Sequence, residues 1–481
     1  MKKEKHSSLS RRKFIATSAK ATAATAIAVT GFPTIVPASV FGKNAPSNMI
    51  NVGAIGCGRI SRGHDMPSTL KCDDARIMAV ADFDRSRQVS GKKYIEDFYT
   101  KKTGQSGYVD VKMYDQFRDL LANKDVDAVL ISTPDHWHAQ VAVEAALAGK
   151  HIYCQKPTSL TIEEGRQMSN IIQKTKVVFQ LGSQQRSIDP WPQFKKACEL
   201  VRNGRIGTLK TVRVGLPGDP AGGVATEMPI PDGFDYDGWL GSTPYMPYTR
   251  DRVHPLNDVN SRPGWLRLEQ FGAGMITGWG VHHIDIAHWG MGTEFTGPIE
   301  AEATADFPKA GLWNVHGDFE VKMKYATGVE MIVNGNYQNG IKFEGTKGWI
   351  FCTRSGGGAT ASDPTSNGVA RMKALDSSDP KILESVIGKN EIHLYESPEQ
   401  HRNWLDCIKN GKPNISPIEV AHRSCSACLV GHVAMKFPGQ KLSFDPVKEK
   451  FNNNHEANKL LSRPQRYPYG TSYVKVPKAK V

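Results

Sequence analysis

The feature that most constrains the fold is a short apolar run that ends in a pair of glycines. Residues 49–55 have the pattern of a buried strand, and Gly56 and Gly58 follow directly before a helical stretch. Glycines at this point let the backbone approach a pyrophosphate at a helix N-terminus, where free N–H groups and the helix dipole favour an anion. The order of strand, glycine turn and helix therefore predicts the start of a dinucleotide-binding domain.

An acidic residue on the next strand completes the predicted cofactor site. The third glycine position of the motif holds Ser61, so the glycine motif alone is weak, but residues 76–81 form a second predicted strand that leads to Asp82. A carboxylate there can bind the adenosine ribose 2′-hydroxyl and repels the 2′-phosphate of NADP, so NAD is the predicted cofactor. NADP stays open because Arg85 and Arg87 lie close by. The predicted contacts from this region are Gly56, Cys57, Gly58, Arg59, Ile60 and Asp82.

Helical and strand patterns continue to alternate along the first part of the chain. Strand patterns at residues 126–132 and 151–154 alternate with helical patterns at residues 114–123 and 138–148. This rhythm is typical of βαβ units in a doubly wound parallel sheet. We therefore predict an α/β Rossmann domain over residues 46–160.

The character of the sequence changes after residue 160. Strand-like runs now follow one another, separated by long loops rich in glycine and proline. These runs are residues 207–214, 319–325, 329–333 and 349–352, with the longest loops at residues 217–250 and 355–367. The pattern predicts an α+β domain with an antiparallel sheet over residues 161–447, whose loops are available for substrate, followed by a C-terminal extension over residues 448–481.

The positive charge of the chain is concentrated at its beginning. Of the formal net charge of +13, residues 1–38 carry seven Lys and Arg against one Glu, so the charge does not predict nucleic-acid binding. Arg11 and Arg12 precede an apolar stretch that Thr, Gly and Pro interrupt, which is typical of a twin-arginine signal rather than a transmembrane helix. We expect a signal peptide and linker over residues 1–45, export to the periplasm, and no stable membrane insertion after processing.

Two further motifs lie where predicted strands end. Residues 133–138, Thr-Pro-Asp-His-Trp-His, follow one strand, and Gln155-Lys156-Pro157 follows the next. Both should lie at the carboxyl edge of the sheet, where ligands bind in such folds. Lys156 is predicted to be functional because it stands at the end of a buried strand beside the expected nicotinamide. The cofactor contacts predicted here are Thr133, Pro134, His138 and Gln155.

The ordered set of motifs resembles the Gfo/Idh/MocA family, which includes glucose-fructose oxidoreductase and inositol dehydrogenase. The fourth motif is Gly280-Val281-His282-His283-Ile284-Asp285, and the resemblance covers about residues 49–447. It implies a second domain with an open, mostly antiparallel sheet whose face meets the nicotinamide. It also implies that Lys156 and His282 serve the reaction, and that the chain is a homo-oligomer.

The motifs depart from the family pattern at two positions. Gln155 stands where the family has a glutamate, and Gly278 stands where it has an aspartate. Without these two carboxylates, the pKa values of Lys156 and His282 should be lower than in a typical member. A neutral His282 is then able to act as base, while Lys156 hydrogen-bonds the developing carbonyl oxygen and a hydride passes to the nicotinamide.

Other residues are predicted to contact a carbohydrate substrate or to be structural. The predicted substrate contacts are Gln185, Arg186, Arg252, Trp279 and Asp285, with Trp239, Trp265 and His254 as further aromatic or polar candidates. No metal site is predicted, because His282, Asp285 and His288 do not return to one helix face. The eight cysteines do not suggest a disulfide framework, and Cys425 and Cys428 are expected to be small buried helix residues.

Three functions remain open from the sequence. The first is an NAD(P)-dependent oxidoreductase that oxidises a secondary hydroxyl of a sugar or glycoside, with a 3-keto sugar as one candidate product. The second is an NAD-dependent glycoside hydrolase that works by transient oxidation and elimination. The third is a cofactor-binding protein without turnover, suggested by Gln155 and Gly278. Export favours a cofactor that is tightly bound and recycled, because no free NAD pool is expected outside the cytoplasm.

Overall fold

The computed structural model describes residues 49–104, 107–108, 110–254, 262–354 and 372–476. The predicted signal peptide over residues 1–45 lies outside the described residues. None of the helices in the described part of the chain is long and apolar enough to cross a membrane.

The first half of the described chain forms a six-stranded parallel sheet with the order β3-β2-β1-β4-β5-β6. Its strands are β1 Ile50–Ile55, β2 Ala75–Ala81, β3 Lys112–Tyr114, β4 Ala128–Ile131, β5 His151–Cys154 and β6 Phe179–Leu181. The predicted Rossmann sheet is confirmed. The sixth strand corrects the boundary that the sequence pattern placed at residue 160, because it pairs with β5 and extends the parallel sheet to Leu181.

The helices of this part follow the strands in the βαβ order that the sequence predicts. A π-helical turn at Ser61–Asp65 leads into α1 Met66–Leu70. The remaining helices are α2 Arg85–Thr103, α3 Phe117–Ala122, α4 Asp135–Leu147 and α5 Ile162–Thr175. Strand β4 is buried along its whole length, as expected for a continuous apolar run in the middle of a sheet that is covered on both faces.

The second half is built on a nine-stranded sheet with the order β13-β12-β11-β7-β10-β9-β8-β14-β15. Its strands are β7 Leu209–Gly215, β8 Glu300–Ala305, β9 Phe319–Lys324, β10 Glu330–Asn334, β11 Gly340–Gly345, β12 Gly348–Cys352, β13 Leu375–Ser377, β14 Leu442–Asp445 and β15 Lys450–Phe451. The predicted sheet is therefore mostly antiparallel, with one parallel pair, β7 and β10.

The helices of this part are α6 Pro192–Arg202, α7 Tyr236–Leu240, α8 Met275–Gly278, α9 Gly280–Met291, α10 Pro380–Glu384, α11 Gln400–Asn410, α12 Ile418–Met435 and α13 His455–Lys459. Of these, α6, α9 and α12 pack against strands of the second sheet, whereas α11 packs against α1 and β5 of the parallel sheet and α7 belongs to a separate apolar cluster. Side chains along β9 alternate between buried and partly or fully exposed, so one face packs inward and the other faces outward. Helices α9 and α12 pack on the inner face, and α9 is buried along nearly its whole length.

The cysteines behave as the sequence predicts. All eight are buried and unpaired, and Cys425 and Cys428 lie inside α12 as small apolar residues. Burial raises the pKa of the Cys428 thiol, which makes it a poor metal ligand or nucleophile.

Candidate active site

The glycine turn lies so close to the neighbouring strand that only glycine fits at its first position, Gly56. Gly56 has φ +88°, and a Cβ placed on it would lie 2.6 Å from the backbone oxygen of Ser132 at the end of β4. The turn therefore lies directly against the neighbouring strand end, and the chain can bend into the helix that follows. Beside this turn, a cleft runs along the carboxyl edge of the parallel sheet.

The cleft runs along the carboxyl ends of the central strands. Most of the residues predicted to bind the cofactor line it, together with the predicted catalytic lysine. These lining residues are Gly56, Gly58, Arg59, Ile60, Asp82, Thr133, Pro134, His138, Gln155 and Lys156. Cys57 differs, because its side chain is fully buried and only its backbone N–H faces this region, donating to Asp82 Oδ2 at 2.7 Å.

Asp82 lies at the end of β2, as the dinucleotide pattern requires. Its Oδ1 accepts a hydrogen bond from the N–H of Asp84 at 2.9 Å, in addition to the bond from Cys57 to its Oδ2. Burial raises the pKa of the Asp82 carboxyl, although both N–H groups oppose this effect. Arg87 also lines the cleft, so a cation and a carboxylate lie together at this end. The glycine turn and this acid fit a bound dinucleotide.

The two motif loops are joined by a buried histidine. The ring of His138 lies between the carbonyl oxygens of Pro157 and Thr133, at 2.6 and 2.8 Å from its two nitrogens. One residue therefore connects the loop after β4 to the loop after β5. The contact fixes Lys156 and the Thr133 loop relative to each other.

Lys156 links the cleft to the second sheet domain. Its Nζ donates to the backbone oxygen of Gly278 at 2.7 Å, at the end of α8 and directly before α9. The two predicted catalytic motifs therefore come together, although they are far apart in the sequence.

A buried carboxylate beside Lys156 was not among the predicted site residues. Asp135, the first residue of α4, lines the cleft, and burial raises its pKa to about 7 even though Lys156 and Arg262 act to lower it. The sequence signal was present, because Asp135 lies inside the motif at residues 133–138. Asp135 therefore supplies a carboxyl group near Lys156 from a different strand end, in addition to the two family positions that Gln155 and Gly278 occupy.

His282 is buried in the first turn of α9. Its pKa is lowered well below the usual value, mainly by burial and then by the positive charges of Arg354 and Lys156. Its Nδ1 has no hydrogen-bond partner among the described residues. A neutral His282 agrees with the sequence expectation, but burial and nearby cations are the main cause rather than the absence of a carboxylate alone.

Two of the predicted substrate residues lie directly against His282. The Trp279 ring stands nearly perpendicular to the His282 ring, with centroids 5.3 Å apart. In the amide orientation that satisfies both its ends, Gln185 donates to the His282 backbone oxygen at 2.8 Å and accepts from Arg354 Nε at 3.2 Å. The Arg354 guanidinium lies over the Trp279 ring at 4.3 Å. Trp279, Gln185 and Arg354 therefore line one side of His282, the candidate base.

Three other predicted substrate residues are engaged elsewhere. Arg186 and Asp285 form a fully buried ion pair, with Arg186 Nε 2.6 Å from Asp285 Oδ2 and Nη2 2.8 Å from Oδ1. Arg252 donates to the carbonyl oxygen of Pro247. Because both oxygens of Asp285 are bound inside the protein, a structural role explains this pair better than the predicted contact with substrate. His288 bonds the Tyr325 hydroxyl, so it does not converge with Asp285 on a metal.

A loop region of the second domain covers the cofactor cleft. We define the cover as residues 217–254 and 262–271, whose buried aromatic and aliphatic side chains form a separate apolar cluster. From the cover, Trp239, His254 and Trp265 line the cleft. The sequence predicted sugar contacts for these three residues, whereas the structure places them against the dinucleotide cleft.

Hydrogen bonds fasten the cover to the Rossmann domain. His254 Nε2 lies 3.0 Å from Asp84 Oδ2, in a contact where both side chains are buried. The N–H of Arg85 donates to Gly233 O at 2.9 Å, and the N–H of Asp235 donates to Phe83 O at 2.9 Å. The cover is therefore held against the Rossmann domain at residues 83–85, beside the cleft.

Comparison with known proteins agrees with both halves of this architecture. A model described as oxidoreductase family, NAD-binding Rossmann fold, matches residues 50–183. A model described as oxidoreductase family, C-terminal alpha/beta domain, matches residues 222–357 and 373–471. The chain belongs to the Gfo/Idh/MocA oxidoreductase family. Membership makes it an NAD-binding oxidoreductase fold, as the resemblance of the motifs implied.

Individual relatives are more distant. The chain is 31% identical to myo-inositol 2-dehydrogenase of Thermotoga maritima over 196 residues, which is 38% of this chain and 52% of that protein. It is 35% identical to glycosyl hydrolase family 109 protein 2 of Shewanella sp. strain ANA-3 over 167 residues, which is 33% of this chain and 36% of that protein. The chain spans about half the length, or less, of these curated relatives.

A solved structure shares the whole fold. The WlbA dehydrogenase from Bordetella pertussis, in complex with NADH and UDP-GlcNAcA, aligns with a TM-score of 0.56 and 16% identity. The alignment covers 82% of this chain and 99% of that one. At this identity the likeness establishes the fold alone.

Proposed function

We propose that this protein oxidises a secondary hydroxyl of a sugar or glycoside, with NAD as a tightly bound cofactor that a second sugar or another acceptor re-oxidises in place. The observation that carries the proposal is the hydrogen bond from Lys156 Nζ to Gly278 O, because it joins the cofactor cleft to the helix of His282. NAD, when bound, supplies the hydride acceptor. The remaining chemistry falls to residues of the chain.

His282 is the proposed base. Burial and nearby cations keep its imidazole neutral, and its Nδ1 has no hydrogen-bond partner in the part of the chain that the structure describes. A neutral ring with an available nitrogen can take the hydroxyl proton. The Lys156 ammonium group can stabilise the oxygen as it becomes a carbonyl.

Several observations support a carbohydrate substrate. Trp279 offers an aromatic face next to His282, and Gln185 and Arg354 add polar groups to the same wall. A named relative is a myo-inositol dehydrogenase, and the solved WlbA structure holds a nucleotide sugar acid. Both act on or bind polyhydroxylated rings, which is why we propose this class and not a particular sugar.

The cover supports a cofactor that stays bound. His254 contacts Asp84, and Gly233 O accepts from the Arg85 N–H, so the cover is held to the residues that follow Asp82, beside the cleft. We expect protein that has been purified without added cofactor to release close to one dinucleotide per chain when it is denatured. The identity of the released dinucleotide also distinguishes NAD from NADP. Asp82 disfavours the 2′-phosphate of NADP, whereas the positive charge of Arg87 would tolerate it.

The main experiment is mass spectrometry of a panel of glycosides incubated with the purified, cofactor-loaded protein in deuterated water. A stable keto-sugar, without deuterium beside the oxidised carbon and with the glycosidic bond intact, is the result expected for the oxidoreductase. The matched control is Lys156→Ala, which should retain the cofactor and lose the product. If no nicotinamide dinucleotide is released on denaturation, and none binds when added, the proposal fails.

The glycoside hydrolase is the second candidate, and the match to a glycosyl hydrolase family 109 protein favours it specifically. In this mechanism the oxidation is transient, and it acidifies a neighbouring C–H so that the glycosidic bond is eliminated. Deuterium incorporation with bond cleavage in the same experiment would support it. A protein without turnover would give neither product while still releasing the dinucleotide on denaturation.

We also propose export by the twin-arginine pathway and self-association. Replacing Arg11 and Arg12 with lysine should retain the protein in the cytoplasm, and fractionation of cells measures this directly. The outward face of the nine-stranded sheet, which carries residues such as Lys322 and Lys342, is the face through which we expect copies to meet. Light scattering after gel filtration tests the oligomeric state.

A further inference from the structure

A cluster of two histidines and a carboxylate lies beside Gln155, outside the residues assigned to the reaction. We call it the histidine–aspartate cluster, and it consists of His64, Asp65 and His401. His64 Nδ1 lies 3.1 Å from Asp65 Oδ1, and His401 Nε2 lies 3.4 Å from the same oxygen. All three atoms lie within 4.8 Å of one another.

The spacing of these atoms suits a small divalent cation. Zinc binds imidazole nitrogen and carboxylate oxygen at about 2.0–2.2 Å, so its ligands in a tetrahedron lie roughly 3.3–3.6 Å apart. The separations of His64 and His401 from Asp65 Oδ1 fall at or just below that range, and the two histidine nitrogens lie within 4.8 Å of each other, so side-chain rotation that draws the histidines together would complete a three-ligand site. Two imidazoles and one carboxylate are ligands that zinc and related transition metals accept.

The groups around the cluster resemble the outer shell of a metal site. His401 Nδ1 lies 3.0 Å from Glu399 Oε1, so a carboxylate orients this ring from the side away from Asp65. Asp65 Oδ2 accepts from Ser132 Oγ at 2.6 Å, and Asp65 Oδ1 accepts from Gln155 Nε2 at 2.8 Å. Metal-binding histidines almost always have such a partner on the second nitrogen, and ligating carboxylates are in turn hydrogen-bonded.

The position of the buried His401 ring also supports a cation in this cluster. The His401 side chain is fully buried, and its Nε2 faces Asp65 Oδ1 at 3.4 Å, in an ion-pair contact that lacks the geometry of a hydrogen bond. A divalent cation between the two side chains would displace the proton of this ion pair and bind both atoms.

We propose that His64, Asp65 and His401 bind one divalent transition-metal ion, with zinc as the best-fitting ion. The fourth position would be open on the side of His64, whose side chain is 33% exposed. The ion would fasten α11, which carries His401, to the helical turn that follows the glycine turn. The proposal does not depend on the proposed sugar oxidation, because it concerns a separate set of residues.

The test compares the full chain with two single-histidine variants. Each protein is stripped with a chelator, mixed with one equivalent of zinc, passed through gel filtration, and analysed for metal by mass spectrometry. His64→Gln removes one ligand at a partly exposed position, so the variant should fold. His455→Gln is the matched control, because its side chain is 85% exposed and lies outside the cluster.

We expect about one zinc per chain for the wild type and for His455→Gln, and at least a tenfold loss of affinity for His64→Gln. Glu399→Gln, which removes the outer partner of His401, should weaken zinc binding about 10- to 100-fold. Cobalt should give the visible absorption of a tetrahedral site in the wild type and not in His64→Gln. A wild type that keeps no zinc, or a His64→Gln variant that keeps as much as the wild type, would overturn the proposal.

Discussion

The buried ion pair of Arg186 and Asp285 allows a test of whether Asp285 stabilises the fold or binds the substrate. The two side chains are 1% and 0% exposed, and two charge-assisted hydrogen bonds join them. Asp285 also accepts from the hydroxyls of Ser183 and Ser424. The perturbation is Asp285→Ala, which leaves the buried guanidinium with Glu294 as its remaining carboxylate.

The expected loss of stability is large. Removing one member of a buried ion pair typically costs about 3–5 kcal/mol, because it strands the other charge in a medium of low polarity. The described unit has about 430 residues, and an unfolding entropy of about 2.1 cal/mol/K per residue gives roughly 0.9 kcal/mol/K. We therefore expect the melting temperature to fall by about 3–6 °C, if the unit unfolds in one step.

Differential scanning calorimetry of the cofactor-loaded protein measures this change. The matched control is the double variant Arg186→Met with Asp285→Leu, in which no charge of the pair is left unpaired. Its stability should return to within about 2 kcal/mol of the wild type, because apolar replacements of a buried ion pair are often neutral. If Asp285→Ala kept the wild-type melting temperature and raised only the KM for sugar, the structural role of Asp285 would be refuted.

Three further predictions concern the cleft. Lys156→Ala should lower kcat by about 10²–10³-fold, because it removes a donor to the developing oxyanion, while cofactor release on denaturation stays unchanged; a KM effect alone would contradict this role. Asp135→Asn should remove a pH dependence of protein stability, because burial raises the pKa of the Asp135 carboxyl to about 7. Because the folded pKa is raised above the unfolded value, the wild type should lose stability as pH rises from about 4 to 7, and the variant should not, as melting curves across this range will show. Gly56→Ala should abolish cofactor retention, because its Cβ would meet the Ser132 oxygen at 2.6 Å; retention of a full equivalent of dinucleotide would contradict this.

The sequence predicts the part of the site that is encoded locally. Gly56 and Asp82 lie at fixed points of a strand, turn and strand pattern, so their positions at the carboxyl edge follow from the fold class. Lys156 is placed by the same reasoning. The resemblance adds His282, and the structure brings both residues to the same corner of the protein.

What the sequence misses depends on contacts between distant segments. Nothing local shows that Asp285 faces Arg186, or that β6 joins the parallel sheet beyond residue 160. The histidine–aspartate cluster is invisible in the sequence for the same reason, since His401 comes from a helix near the other end of the chain. Asp135 is a different case, because its motif was recognised but burial, which raises its pKa, can only be seen in three dimensions.

The cover has a consequence for how fast the protein can change its cofactor. We expect the contacts at Asp84, Arg85 and Phe83 to break when a dinucleotide leaves the cleft, so that exchange proceeds through a local opening of the fold. The exchange rate would then be limited by how often the cover opens, and adding more nucleotide to the solution would not raise it. Each molecule would therefore work with the dinucleotide that was present when its cover closed.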